Sequence, residues 1–139
     1  MHEIVEVPLG PVAPSPTDAD DPGAGFWEAT RNRRLVVQTC EACGHRQHYP
    51  RPLCLACGGT SLWFAAAAGT ATVVSHTTVA RAPFEGLEPP YVIAIVELAE
   101  GVRMLARIVD ADGVECDGPV AVAWAPLPDG RHLPVFRPA

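Results

Sequence analysis

The 139-residue sequence predicts a mainly β protein: a short N-terminal helix, a four-cysteine metal module, then a five-stranded antiparallel barrel of the OB-fold type. Three observations predict it. Two Cys-x-x-Cys pairs, Cys40/Cys43 and Cys54/Cys57, stand ten residues apart, and glycine follows each. After Gly69, five short runs rich in Val, Ile, Thr and aromatic residues are bounded by Gly, Pro, Asp and Glu. One segment ahead of the cysteines, residues 26–34, has a helical charge order.

Residues 1–25 read as a flexible tail. Pro8, Pro11, Pro14, Pro16 and Pro22, with Asp18, Asp20 and Asp21, leave too little apolar surface to bury a core. Within the tail, Ile4, Val5 and Val7 alternate with Glu6, a stretch able to add a strand to a neighbour's sheet. Residues 26–34 read as a docking helix, with Glu28 in its first turn and Arg31, Arg33 and Arg34 at its end, an order that suits the helix dipole. Nine residues cannot hold a helix alone. Phe26 and Trp27 must therefore dock, on the metal module or on a partner.

Residues 35–67 read as the metal module, with strands at 35–39 leading in and 62–65 leading out. Residues 68–139 read as the barrel, with strands at 70–80, 91–98, 103–109, 120–125 and 132–136. Glu100-Gly101 makes a tight hairpin between the second and third of these. Residues 81–90 form a long loop with three prolines, and 110–119 form an acidic loop. No internal repeat is present.

Two residues between ligands allow a tight turn that points both sulfurs at one ion and aims backbone N–H groups at them. The glycine after each pair permits the positive φ that such a knuckle needs. Two knuckles give four thiolates in a tetrahedron, the closed arrangement of a structural zinc site with no open position for water. Iron is the alternative metal, because four thiolates hold it too. Two disulfides compete on count alone, and nothing marks the chain as secreted. A redox Cys-x-x-Cys needs only one pair. His45 and His48 are expected in an exposed loop, outside the ligand set, and Cys116 as a small buried or half-buried residue.

Composition narrows the function. All ten basic residues are arginine, which excludes lysine nucleophiles and Schiff bases. The formal net charge is −6, and four thiolates with one Zn²⁺ add −2, which opposes binding to nucleic acid. Arg31, Arg33, Arg34, Arg46 and Arg51 nevertheless cluster in one stretch. No apolar run reaches transmembrane length and no signal peptide is evident, so a cytoplasmic location is expected. There is no Gly-x-Ser-x-Gly elbow, phosphate-binding glycine loop or His-Glu-x-x-His. Ser75 and His76 are neighbours on a strand and point to opposite faces, so they form no dyad. Asp110 and Asp112 lie in a solvated loop. No catalytic residue is identified.

The order Phe26-Trp27-Glu28-Ala29, then Leu35 to Cys40, Cys43-Gly44, Tyr49-Pro50-Arg51-Pro52, Cys57-Gly58, Gly69-Thr70, Pro90 to Leu98 and a terminal Leu133-Pro134-Val135-Phe136 resembles a known family. It is similar to the acyl-CoA-associated OB-fold proteins with a rubredoxin-like zinc ribbon, domain of unknown function thirty-five. The resemblance covers residues 26 to 138 and implies helix, ribbon and OB-fold in that order. It implies a non-catalytic accessory subunit of a thiolase-like aldolase or thiolase, or of a MaoC-like enoyl-CoA hydratase, acting on acyl-CoA in lipid or steroid side-chain metabolism. Only the four zinc ligands carry over as site residues. A hetero-oligomer follows, two-plus-two by analogy with dimeric thiolases. Expected partner contacts are Phe26, Trp27, Arg51, Phe84 and Leu87. A nucleic-acid-binding ribbon and a barrel that binds CoA thioesters directly are the alternatives.

Overall fold

The computed structural model describes residues 4–5, 20–83 and 85–139; the rest of the tail and Phe84 lie outside the described residues. The elements run α1 (Ala24–Thr30), β1 (Val36–Cys40), β2 (Arg46–Gln47), β3 (Leu62–Ala66), β4 (Thr70–Val79), β5 (Tyr91–Leu98), β6 (Arg103–Ile108), β7 (Pro119–Pro126) and β8 (His132–Pro138). β1 to β3 form an antiparallel sheet in the order β2-β1-β3. β4 to β8 close into a barrel in the order β4-β5-β6-β8-β7. Numbered within the barrel, that is 1-2-3-5-4, the strand order of an OB-fold.

The barrel strands alternate because one face of each looks inward. Along β6, Met104, Ala106 and Ile108 are buried while Arg103 and Leu105 are exposed. Val73, Val96, Val122, Trp124 and Phe136 fill the interior and are almost fully buried. Burial of each such side chain stabilises the fold by about 1.5–3 kcal/mol. The alternation stops in β7, where Ala123 and Ala125 are buried as well. Together with Val135 they form a second cluster that Val5 covers. Val5 N–H donates to the Trp124 carbonyl at 2.9 Å, and Ile4 bridges Trp124 in parallel. Ile4 and Val5 thus lie on this chain's own β7, at the sequence position read as able to join a neighbour's sheet.

The helix differs from its expected bounds. It begins two residues earlier and ends at Thr30, so no acid falls in its first turn and no base in its last. Arg31, Asn32 and Arg33 continue as single turns whose N–H groups reach back to Glu28, Ala29 and Thr30. Arg33 then takes a left-handed φ of 54° and ends the run. The dipole argument therefore does not apply; packing decides the helix. Phe26 enters the main core, and α1 lies against β1 and β8. A Cβ on Gly25 would sit 2.6 Å from the Phe64 ring, so glycine is what lets α1 approach β3 this closely.

β6 and β8 pair only at Ile108 and Phe136 and do so in parallel, which departs from the all-antiparallel barrel expected, and Phe26, Trp27, His48 and Tyr49 line the space beside Met104 and Leu105 on that side of β6. The Glu100 carboxylate, at the β5–β6 hairpin, accepts from Ala68 N–H at 3.0 Å in the link between ribbon and barrel. Leu105 N–H, on the open side of β6, donates to the Tyr49 hydroxyl at 3.2 Å. Ribbon, helix and barrel share one core as a result. Among the described residues no helix is long and apolar enough to cross a membrane.

Candidate metal centre

The four sulfurs of Cys40, Cys43, Cys54 and Cys57 all lie within 4.8 Å of one another. Cys40 Sγ is 3.7 Å from Cys57 Sγ, and Cys43 Sγ is 3.6 Å from Cys54 Sγ. Metal–sulfur bonds of about 2.3 Å in a tetrahedron require sulfurs roughly 3.8 Å apart. The donor set therefore fits a closed tetrathiolate ion. Each knuckle is the same turn: Gly44 N–H reaches the Cys40 carbonyl at 2.9 Å, and Gly58 N–H the Cys54 carbonyl at 2.8 Å. Gly44 and Gly58 take φ of 77° and 75°, the left-handed values that the spacing demands. Ala56 N–H and Gly59 N–H then donate to Cys54 and Cys57 Sγ, each at 3.4 Å. β1 ends on Cys40 and delivers the first ligand from the sheet.

The electrostatics call for a cation. The Cys57 backbone N–H draws the Cys54 thiol down to about 7. The His45 backbone N–H also pulls Cys43 down, but loss of water and three neighbouring sulfurs outweigh it and push that thiol up to about 12. Without a dication, one thiolate makes its neighbours harder to ionise. With one bound, all four become ligands, and no donor is left over for substrate.

Two residues that sequence reasoning missed hold the second knuckle in place. Gln38 and Gln47 are buried, 4% and 5% exposed, and face each other across β1 and β2. Gln47 Nε2 donates to Gln38 Oε1 at 2.7 Å and to the Leu53 carbonyl at 3.0 Å, while Gln47 Oε1 accepts from Leu55 N–H at 3.0 Å. Gln38 grips Arg51 in the same way, through its carbonyl at 2.9 Å and its N–H at 2.8 Å. Two side chains thus replace the strand that residues 51–55 lack, on both sides of Cys54. The available signal was a glutamine that ends the apolar run Leu35-Val36-Val37.

The expected contact residues separate. Phe26 is 5% exposed and belongs to this chain's own core, so it offers little surface to a partner. Trp27 is half-buried, edge-on to Phe26 with centroids 5.3 Å apart, and Arg131 lies over its ring at 5.3 Å. Arg51 is exposed and Leu87 half-buried, far apart in the chain; Phe84 lies outside the described residues. Cys116 is exposed rather than buried, because the acidic loop carries it out from the barrel. His45 is exposed as expected, but His48 is not: its ring packs on Phe26 at 5.2 Å and on Tyr49 at 4.1 Å.

Burial pushes the His48 imidazole down to about 4 from an ordinary 6.5. Between those values the unfolded chain binds the proton and the folded chain does not. Stability contributed by neutral His48 is therefore complete above pH 6.5 and declines as pH falls towards 4. For a half-buried ring the loss is on the order of 2 kcal/mol. Thermal midpoints measured from pH 7.5 downward should fall less steeply for His48→Phe than for the parent. Parallel curves would assign the acid limb to the thiolates alone.

Comparison with known proteins agrees with this architecture. Residues 27–62 match the family profile described as "ChsH2, rubredoxin-like zinc ribbon domain", and residues 65–125 match "ChsH2, C-terminal OB-fold domain". The chain is 40% identical over 132 residues to a probable enoyl-CoA hydratase alpha subunit of Thermomonospora curvata, covering 93% of this chain and 41% of that one. It is 34% identical over 93 residues to a DUF35 domain-containing scaffold protein of Pyrococcus furiosus, covering 65% of this chain and 67% of that one. Among solved structures, a chain of the Ltp2-ChsH2(DUF35) aldolase superposes with a TM-score of 0.78 at 38% identity, covering 88% of this chain and 98% of that one. A 3-oxo-4,17-pregnadiene-20-carboxyl-CoA hydratase alpha subunit of Mycobacterium tuberculosis is 32% identical over 108 residues, and the chain spans 41% and 34% of the length of these two hydratase subunits. With its four-cysteine ribbon leading into a five-stranded barrel, the chain belongs to the DUF35 family, in the ChsH2-like form.

Proposed function

We propose that this chain is a non-catalytic accessory subunit that binds and supports a thiolase-like aldolase or thiolase, or a MaoC-like hydratase, acting on acyl-CoA. The observation that carries this reading is its likeness to a chain of a named aldolase complex, with nearly all of that chain covered. The site chemistry supports it. The tetrathiolate centre has no open ligand position, and Ser75 and His76, both exposed on β4, are neighbours on one strand. The ion is zinc, which folds the ribbon and performs no chemistry, and a cytoplasmic location suits four thiols that must stay reduced. The partner sets the acyl group, whether steroid-derived or straight-chain. By analogy with dimeric thiolases the assembly holds two copies of each subunit.

The test is affinity capture of the tagged full chain from its host, followed by mass spectrometry and by light scattering of the purified assembly. A thiolase-like or MaoC-like subunit at equal stoichiometry is expected, with thioester turnover by the complex and none by this chain alone. Recovery of the chain alone, or with nucleic acid, would overturn the reading.

A further inference from the structure

β4 uses one of its edges fully and the other only in part. On one side it pairs with β5 from Ala71 to Val79, with a bulge between Val73 and Ser75. On the other it pairs with β7 at Thr70, Ala71 and Thr72 alone. Val73 extends that contact: its N–H donates to the Gly118 carbonyl at 3.0 Å, and its carbonyl accepts from Asp117 N–H at 2.7 Å. Beyond Val73 this second edge has no partner among the described residues, and Ser75, His76, Thr77 and Thr78 are all exposed.

The ladder shows which backbone groups are open. Leu98 N–H donates to the Val102 carbonyl at the β5–β6 hairpin, so in β5 the even-numbered residues bond β6 and the odd-numbered ones bond β4. Tyr91, Ile93 and Ile95 stand opposite Val79, Thr77 and Ser75. Those three residues of β4 turn N–H and C=O towards β5, so His76 and Thr78 turn theirs outward. Proteins blunt an open edge with charge or proline. Residues 70–80 contain no acid, arginine or proline.

We propose that this edge pairs with the same edge of a second copy of the chain, antiparallel about a two-fold axis at Thr77. A two-fold contact must be self-complementary, and this register is. His76 faces Thr78 of the copy and Thr78 faces His76, so both open residues of each strand bond through N–H and C=O. An axis at His76 or Thr78 pairs that residue with itself and sets the other against the bulge or beyond the strand. Thr77 meets Thr77 of the copy as a non-hydrogen-bonded pair, a favourable cross-strand combination. The ends match as well. The register sets Arg81 opposite Val73 of the copy, whose carbonyl holds Asp117. Arg81 and Asp117 are exposed and make no ion pair among the described residues. Glu115 stands beside Asp117, and Glu85 and Glu88 follow Arg81 in the loop beyond the strand. The exposed ion pair therefore selects the register, and the backbone bonds carry the contact. Five residues a side are few against a standard interface of about 1,600 Å², so the dimer of this chain alone is weak. The pairing does not depend on which enzyme the chain supports.

The test is sedimentation velocity of the zinc-loaded full chain over a concentration series, with cross-linking to fix the register. A reversible dimer is expected. Thr77→Cys, in a Cys116→Ser background, should give a disulfide-linked dimer under a mild oxidant. Facing Cα atoms of a non-hydrogen-bonded pair are about 4.5 Å apart, within the reach of a disulfide. Ser75→Cys should not, because the register sets Ser75 against Val79. Thr78→Pro removes an outward N–H and spares the β5 ladder, and should raise the dissociation constant about tenfold or more. Arg81→Gln and Asp117→Asn should each raise it about threefold, and the double variant no further; asparagine also tolerates the left-handed φ of 64° at position 117. Unchanged zinc content and thermal midpoint show that each variant folds, and the cross-link decides the register whether or not Thr78→Pro does. A chain that stays monomeric up to about 1 mM would overturn the proposal. So would a dimer indifferent to Thr78→Pro, additive losses at Arg81 and Asp117, or Ser75→Cys linking as readily as Thr77→Cys. If the enzyme subunit captured from the host shields Thr77→Cys from cross-linking, the edge belongs to the enzyme and the self-pairing fails, while the accessory role stands.

Discussion

Removal of the ion with a chelator is expected to unfold the ribbon and to loosen the helix and barrel with it. Apparent binding free energies of structural zinc sites are on the order of 10 kcal/mol or more, comparable to the whole stability of a small domain. Here the effect should spread, because Leu35 and the β1 residues Val36 and Val37 share one core with Val96 and Trp124 of the barrel. Metal analysis should find one zinc per chain. Cys40→Ser or Cys54→Ser should lose the ion and most amide-exchange protection in residues 36–66, whereas Cys116→Ser, at an exposed lone thiol, should match the parent. Full protection in chelator would dismiss a folding role for the metal. Visible thiolate-to-iron absorption in the purified protein would replace zinc with iron. Acid should release the ion as well, because protons compete with it for the four sulfurs.

Loss of the glutamine clamp should come next in size. Gln47→Leu leaves the Leu53 carbonyl, the Leu55 N–H and one acceptor site on Gln38 without their partner. The bond to Gln38 is buried and the other two are part-buried, and an unsatisfied buried group costs about 1–3 kcal/mol, so a total of about 3 kcal/mol is expected. The cost should appear as zinc affinity lowered by about 100-fold, because the residues set free flank Cys54. Competition with a chromophoric chelator measures it. Gln47→Glu is the sharper variant. It keeps an acceptor for Leu55 N–H but sets carboxylate oxygens against Gln38 Oε1 and the Leu53 carbonyl, so its loss should exceed that of Leu. His45→Ala, at an exposed side chain beside the first knuckle, should bind zinc like the parent. Equal affinities for Gln47→Leu and the parent would mean that the knuckle is held by the metal alone.

The knuckles and the barrel were legible for different reasons. Ligand spacing and the glycine after each pair are local requirements, met within a few residues, and the four sulfurs converge where that spacing puts them. The barrel strands were legible because one inward face imposes a two-residue period, visible as Met104, Ala106 and Ile108 on β6. β2 was not legible, because two residues carry no period; it exists because Gln38 and Gln47 meet across it. The helix bounds misled because charge order is a weak term beside the packing of Phe26 and the Gly25–Phe64 contact. His48 was placed in solvent because it lies in the loop between the two cysteine pairs, whereas its ring packs on Phe26, far away in the chain, as well as on adjacent Tyr49.

By itself, the sequence determined the strand patterns and the two cysteine knuckles whose four sulfurs converge, both of which depend on residues close together in the chain. Only the tertiary structure decided that Phe26 is core and not surface, that Ile4 and Val5 lie on β7, and that Tyr49 meets Leu105 of the barrel. Those outcomes depend on contacts between residues tens of positions apart, where burial and hydrogen bonding outweigh every local preference.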